Sequence, residues 1–379
     1  MTRTPAVSLL TTCLLFAVLL SVVGCAADGE EAADGDEAAD GDEAADGDEA
    51  ADTGSEEQAS EPSEDGADDE DAAGDFPLTL EHRHGTTEVA APPERVVTVG
   101  LTDHDAFLAL GHEPVGITDW YGDQPDALWP WARDALQGEA PEVVGTAEEL
   151  DFEAIAALEP DLIVGLYSAL SEDDYDTLSQ IAPTVAQPDD HVDWGVPWQE
   201  LTRTVGRILG EPDEAEARIE EIEDGFATAR EEHPDLNGAS AAIATPSDGI
   251  YVYSPDVANV RLLRELGMEI PEGIAELVGE ADGAELSLER VDLLDVDALV
   301  WLDAQQDEGP LGEPLYQQLA VHTEGREVLV SSASELGAAM SFSSVLSLEI
   351  VLEELVPRLD AAVDGDPETT VEPALEPAE

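Results

Sequence analysis

The sequence predicts an α/β protein of two similar halves, one on each side of a single long helix. Three observations carry this. Short apolar strand runs alternate with helical patterns from Phe76 onward, a grammar that builds mostly parallel sheets with helices on both faces. The stretch Asp213–Glu232 (DEAEARIEEIEDGFATAREE) reads as one unbroken helix between the halves. One helix-into-strand unit occurs twice, once in each half.

In the long helix, Ala215, Ile219, Ile222, Phe226 and Ala229 recur three and four apart and so line one face. Pro212 suits its first turn, acids crowd the opening where the helix dipole favours them, and His233-Pro234 ends it. About twenty residues at about 1.5 Å each make a rod of about 30 Å, enough to cross a small domain.

The elements follow in chain order. Residues 1–24 open with Arg3 and run apolar from Ala6 to Val23, short for a membrane span and expected as a signal peptide. The run ends Val22-Val23-Gly24-Cys25, which resembles the bacterial lipobox; the resemblance implies that the Cys25 thiol takes a lipid and that the mature lipoprotein carries palmitate. Cys13 would leave with the signal, so no disulfide and no Cys-based metal or redox site is expected. Residues 25–75 repeat ADGDEA and are expected as a disordered acidic tether. Residues 76–200 form the first half. Phe76–Val89 suggests a hairpin broken at Gly85, with His82 and His84 on one strand and expected to face solvent. Strands are read at Arg95–Val99, Val115–Ile117, Leu162–Leu166 and Thr184–Ala186, with helices at Asp105–Leu110, Leu150–Leu158 and Tyr175–Ile181. An aromatic loop carries Trp120, Tyr121, Trp129 and Trp131.

Residues 201–235 are the helical connection and 236–364 the second half. There the strands are Ala241–Ala244, Ile250–Tyr253, Ala298–Leu302 and Val328–Val330, and the helices Val260–Leu266, Leu286–Leu294 and Ser344–Leu355. The Pro- and Glu-rich residues 365–379 read as a disordered tail. The repeated unit is Leu150–Gly165 (LDFEAIAALEPDLIVG) and Leu286–Trp301 (LSLERVDLLDVDALVW). Without gaps it matches Leu150 with Leu286, Glu153 with Glu289, Ile155 with Val291, Leu158 with Leu294 and Asp161 with Asp297. A first-turn acid is commonly a cap; two at one place in two halves suggest a shared partner.

Composition narrows the function. The chain has 379 residues and a formal charge of −77, and lysine is absent. From Phe76 on, 67 acids face 12 Arg, leaving the folded part near −55. That excludes nucleic acid and anionic membrane as direct partners, and it suits a protein working in high salt, which screens the self-repulsion. There is no Gly-x-Ser-x-Gly elbow, phosphate loop or HExxH, and the seven His are scattered, so neither an enzyme nor a bare-metal site is expected.

The chain resembles the substrate-binding lipoproteins of iron–siderophore ABC importers, the group that also holds cobalamin- and haem-binding proteins. Ala91–Gly116 (APPERVVTVGLTDHDAFLALGHEPVG), the two repeated units, Ile181–Gln187 (IAPTVAQ) and Val196–Gly210 (VPWQELTRTVGRILG) carry the resemblance. It implies two Rossmann-like α/β lobes joined by a single long α-helix, and a glutamate on each lobe that docks onto permease arginines, placed here on Glu153 and Glu289. It further implies a monomer lipid-anchored outside the cytoplasm, touching the membrane only through that anchor. Its partners are an ABC permease with its ATPase, its ligand is a ferric siderophore, and no cofactor is implied.

Ligand belongs in the cleft at the carboxyl ends of the strands. Candidates are Asp103, His104, Trp120, Tyr121 and Tyr167 from the first half and Tyr251, Tyr253 and Arg261 from the second, with Trp194, Trp198 and Trp301 as further aromatics. Rings cover the apolar rim of a ferric chelate, and Arg or Tyr meets its oxygens. Trp131, Trp198 and Trp301 look more like packing residues, and Arg261 and Arg264 would equally serve as surface ion-pair partners. Relatives that bind hydroxamates carry an Arg shortly before the first docking Glu; Thr146–Leu150 holds no basic residue. The alternatives are the same fold holding cobalamin or haem, or a ligand sensor that does not transport.

Overall fold

A computed structural model describes residues 76–377, apart from 248, 280, 306–308, 365 and 367. The expected signal peptide, Cys25 and the acidic tether lie outside the described residues.

The hairpin pairs β1 (Leu78–His82) with β2 (Gly85–Val89), antiparallel, His82 opposite Gly85. Its reversal is fastened to the first lobe, where Arg83 N donates to Gln187 O at 3.0 Å and Thr87 Oγ1 to Thr184 O at 2.6 Å. His82 and His84 do not face solvent as their spacing suggested. His82 is buried with Nε2 2.9 Å from Thr87 Oγ1, and His84 Nε2 lies 2.7 Å from the Leu170 carbonyl. The Tyr175 ring covers both, at 5.2 and 5.1 Å between centroids. A lid supplied from so far along the chain leaves no local mark.

The first lobe runs β3 (Val96–Thr98), α1 (Asp103–Ala109), β4 (Gly116–Asp119), α2 (Pro130–Ala135), β5 (Glu142–Thr146), α3 (Phe152–Ala157), β6 (Leu162–Gly165), α4 (Glu172–Leu178) and β7 (Thr184–Ala186). Its sheet is wholly parallel, in the order β5-β4-β3-β6-β7. Next come α5 (Trp198–Leu209) and the long α6 (Pro212–Glu232). Between them Gly210 takes a left-handed φ of 75°, which costs glycine nothing and reverses the chain. A Cβ on Gly206 would stand 2.4 Å from the Ala215 Cβ, so glycine there is what lets the two helices approach. Arg203 closes the pair with two bonds to Glu216, at 2.8 and 3.0 Å. On α6 the predicted face is the buried one: Ala215, Ile219, Ile222 and Phe226 are inside and Ala229 is half-buried.

The second lobe runs β8 (Ala241–Pro246), β9 (Ile250–Tyr253), α7 (Ala258–Glu265), α8 (Glu272–Val278), β10 (Gly283–Leu286), β11 (Ala298–Leu302), α9 (Ala320–Thr323), β12 (Glu327–Val330), α10 (Glu335–Phe342), α11 (Leu348–Ile350) and α12 (Val356–Val363). A π-helical turn, Val351–Leu355, joins the last two. The sheet order is β10-β9-β8-β11-β12, with β9 antiparallel to both neighbours. Among the described residues no helix is long and apolar enough to cross a membrane.

The repeated unit folds differently in its two copies. In the first, Asp151 caps α3 by accepting from Glu153 N and Ala154 N at 3.1 and 3.0 Å. In the second, Ser287 makes no such bond, and the expected helix Leu286–Leu294 is instead the end of β10 followed by a 3₁₀ segment, Leu288–Leu294, distorted at Arg290. The matched aspartates do share a job. Asp161, just before β6, accepts from Glu94 N and Arg95 N at the entrance to β3 (2.8 and 2.9 Å), and Asp297, just before β11, accepts from Ser240 N and Oγ at the entrance to β8 (2.8 and 2.7 Å). Each fixes the register of two parallel neighbours.

The inner strands β3, β6 and β11 are buried on both faces, which is why they read as continuous apolar runs. Val97 and Ile163 point to an outer core on the first sheet, and Ala242, Leu299 and Trp301 to another on the second. Between them one core joins Val96, Leu162, Ile243 and Val300 to Ile208, Ile219 and Phe226 of α5 and α6. The tail expected to be disordered is fastened at Ala374, which accepts from Ser331 N and donates to Leu329 O, both at 2.8 Å, along the edge strand β12.

Candidate functional site

Several of the sequence candidates meet at the junction of the two lobes. Tyr167 lies two residues beyond β6, and Arg261 projects from the first turns of α7. Both line a cavity of about 30 Å³ at the lobe junction, with Thr102, Trp198, Glu265 and Phe342. The Arg261 guanidinium crosses the junction, its Nη2 donating to Gly195 O at 3.1 Å. Burial holds this arginine below its ordinary value, opposed by Tyr167 and by the carboxylates of Glu265 and Asp256. Glu265 is pushed up by burial while accepting from Trp198 Nε1 at 3.4 Å.

Beside the cavity stands an aromatic group that the sequence reading gave only in part. Phe342, the last residue of α10, inserts from the second lobe into the first. Its ring lies 5.0 Å from Trp120, 5.4 Å from Trp131, 6.2 Å from Tyr121 and 6.3 Å from Trp129. Trp120 in turn meets Tyr121 at 5.1 Å and Tyr167 at 6.5 Å. Tyr251 and Tyr253 meet edge to face at 5.2 Å on the second lobe. Burial raises every one of these hydroxyls: Tyr121, Tyr167 and Tyr253 to about 12, and Tyr251 upward. At neutral pH they are uncharged donors. The Asp303 carboxylate pushes Tyr121 and Tyr253 the same way, and Asp282 does so for Tyr167 and Tyr251.

Backbone strain gathers here too. Trp194, Asp303 and Ser343 all hold a positive φ (54°, 57° and 45°) without being glycine. Such residues concentrate where a site needs a fixed geometry. Trp194 is 44% exposed and does not line the cavity, whereas Trp301 is fully buried with Nε1 2.8 Å from the Tyr316 hydroxyl.

His104 does not line the cavity: α1 is buried from Asp103 through Leu108, and the His104 ring lies 6.2 Å from Phe342. Asp103 is equally buried and accepts from Leu166 N and Tyr167 N at 2.7 and 2.9 Å, so it positions the Tyr167 backbone. Asp105 receives Trp131 Nε1 at 2.9 Å and the Ser344 hydroxyl from the other lobe, a tie that the sequence reading missed.

Burial pushes the Asp103 carboxyl up to about 7, against the pull of its two backbone donors, and raises Asp105 as well; the neighbouring His104 is held down by burial. A carboxyl whose folded value exceeds its unfolded one costs stability when it ionises. The contribution of Asp103 to stability should therefore decline as the pH climbs from about 4 to about 7. Asp103→Asn keeps an acceptor but cannot ionise. Thermal melts at pH 5 and pH 7.5 should show a smaller drop in the variant than in the parent, and equal drops would refute the assignment.

Glu153 and Glu289 are both exposed. Each starts the connection leaving the carboxyl end of a strand, β5 or β10, and re-entering at β6 or β11, so they occupy equivalent places on the two lobes. Among the described residues one His–carboxylate trio is close enough to hold a metal, Asp190, His191 and Glu200, and there His191 Nε2 already bonds Glu200 at 2.8 Å.

Residues 96–322 match the model of the family described as periplasmic binding protein. The Fe(3+) dicitrate-binding periplasmic protein FecB of Escherichia coli is 28% identical over 201 residues, 53% of this chain and 64% of that protein. The probable siderophore-binding lipoprotein YfiY of Bacillus subtilis is 29% identical over 205 residues, 52% of this chain and 59% of that one. The match thus spans less than two thirds of either relative. A solved periplasmic solute binding protein from Mycobacterium smegmatis is 32% identical with a TM-score of 0.67, covering 76% of this chain and 98% of that one.

Proposed function

The chain belongs to the periplasmic binding protein family, and on that premise we propose that it holds a ferric siderophore between its lobes and delivers it to an ABC importer. One observation carries the reading: aromatic and cationic side chains from both lobes, Trp120, Tyr121 and Tyr167 on one side and Tyr253 and Arg261 on the other, meet at the junction of the two lobes. In this reading the chelate enters between the lobes beside the cavity lined by Tyr167, Arg261 and Phe342.

In this reading Glu153 and Glu289 pair with permease arginines, and two separated pairs set orientation as well as position. Cys25 carries the lipid, residues 25–75 tether the folded part outside the cytoplasm, and the protein acts as a monomer. Iron arrives inside its chelator, so no resident cofactor is needed.

Titrating tryptophan fluorescence with ferric hydroxamates, ferric catecholates, ferric citrate, haem and cobalamin tests the reading. At least one ferric chelate should quench with micromolar or tighter affinity, while haem and cobalamin should not. Quenching by haem or cobalamin alone would replace the siderophore by that ligand.

A further inference from the structure

The binding reading above leaves the cargo's charge open, and the junction constrains it. Among the described residues that line the cavity, Arg261 is the one cation, and it is already engaged with the Gly195 carbonyl. The charged groups acting on Arg261 are Glu265, Asp256 and Arg264, all on its own helix or just before it. Beside the hydroxyls Asp282 acts on Tyr167 and Tyr251, Glu285 on Tyr251, and Asp303 on Tyr121 and Tyr253. Three carboxylates and one guanidinium group, Arg261, thus act on the tyrosine hydroxyls, a net charge of −2. On the first lobe the end of β4 and the loop after it add Asp119 and Asp123. Nothing in this set compensates a multiply charged anion, and a charge taken out of water without a partner is strongly disfavoured.

Resting on that binding role, we infer that the cargo is a ferric chelate of zero or positive net charge, a trihydroxamate held without the arginine that hydroxamate-binding relatives carry before the first docking glutamate, and that multiply anionic chelates are rejected. Three hydroxamates, each a monoanion, neutralise Fe³⁺. Three catecholates, each a dianion, leave a trianion, and carboxylate chelates are anionic as well. Neutral tyrosine hydroxyls can donate to the iron-bound oxygens of a neutral chelate, and Arg261 can add one charge-assisted bond without a second cation being needed. The chain would then differ in cargo from the ferric dicitrate-binding relative it resembles at 28% identity.

The test compares a neutral ferric trihydroxamate, a trihydroxamate bearing a free ammonium group, and a ferric triscatecholate by tryptophan quenching across a salt series. The neutral and cationic chelates should bind about a hundredfold tighter than the trianion at low salt, with the gap narrowing as salt rises. Asp282→Asn with Asp303→Asn should tighten the trianion about tenfold relative to the neutral chelate. Asn at 303 tolerates the left-handed backbone and keeps an acceptor for Ser332 N. Equal or tighter binding of the trianion by the parent protein, or equal tightening of both ligands in the variant, would overturn the charge assignment while leaving ferric-chelate binding in place. If no ferric chelate quenched at all, the binding reading would fall, and this inference with it.

Discussion

Cells expressing the protein with Glu153→Ala and Glu289→Ala together should lose ferric-chelate uptake, while the purified variant keeps its ligand affinity. Each carboxylate offers a guanidinium two acceptors, and a pair shielded at an interface contributes about 2 kcal/mol or more. Losing both would weaken docking by about a thousandfold. Both side chains are exposed, so their removal should leave the melting temperature nearly unchanged. Single variants should fall between, and exchanging either Glu for Asp should restore part of the uptake. Loss of soluble affinity, or normal uptake by the double variant, would remove these residues from the docking role.

Phe342→Ala should destabilise the folded protein by about 3–5 kcal/mol, measured by urea denaturation. The ring is only 3% exposed and its neighbours are large rigid rings rather than pliable side chains. They cannot collapse into the space that its removal leaves. Phe342→Leu should recover most of the loss. A cost below about 1 kcal/mol would mean that the two lobes are not held by this insertion.

What could be read in advance follows a physical line. The long helix, Ile250–Tyr253, Ala298–Leu302 and Thr184–Ala186 came out at or near their observed bounds because each buries a periodic or continuous apolar run. The strand β5 was not seen: it lies at a sheet edge, and Val143 faces outward, so its pattern is thin. The strand β10 is half-exposed and carries no strand pattern; the helical reading of Leu286–Leu294 meets it only at Leu286. At the site, Tyr167 and Arg261 were reachable because each follows directly from a strand end or a helix start. Phe342, the Asp105–Ser344 bond and the lid of Tyr175 over two histidines were not, since each joins residues far apart in sequence. The burial of His104 was not legible for a simpler reason: α1 is buried from Asp103 through Leu108, polar residues included, so no alternation of polar and apolar positions marks its inner side.

The apolar interior that runs unbroken from one sheet through α5 and α6 to the other bears on how the chain acquires its shape. Neither half owns a finished interior. A nascent chain that stops short of β8 leaves the inward side of its first sheet and one flank of α6 wet and adhesive. The dense negative charge of such a partial chain would then serve a second purpose, keeping unfinished copies apart until the last strands arrive.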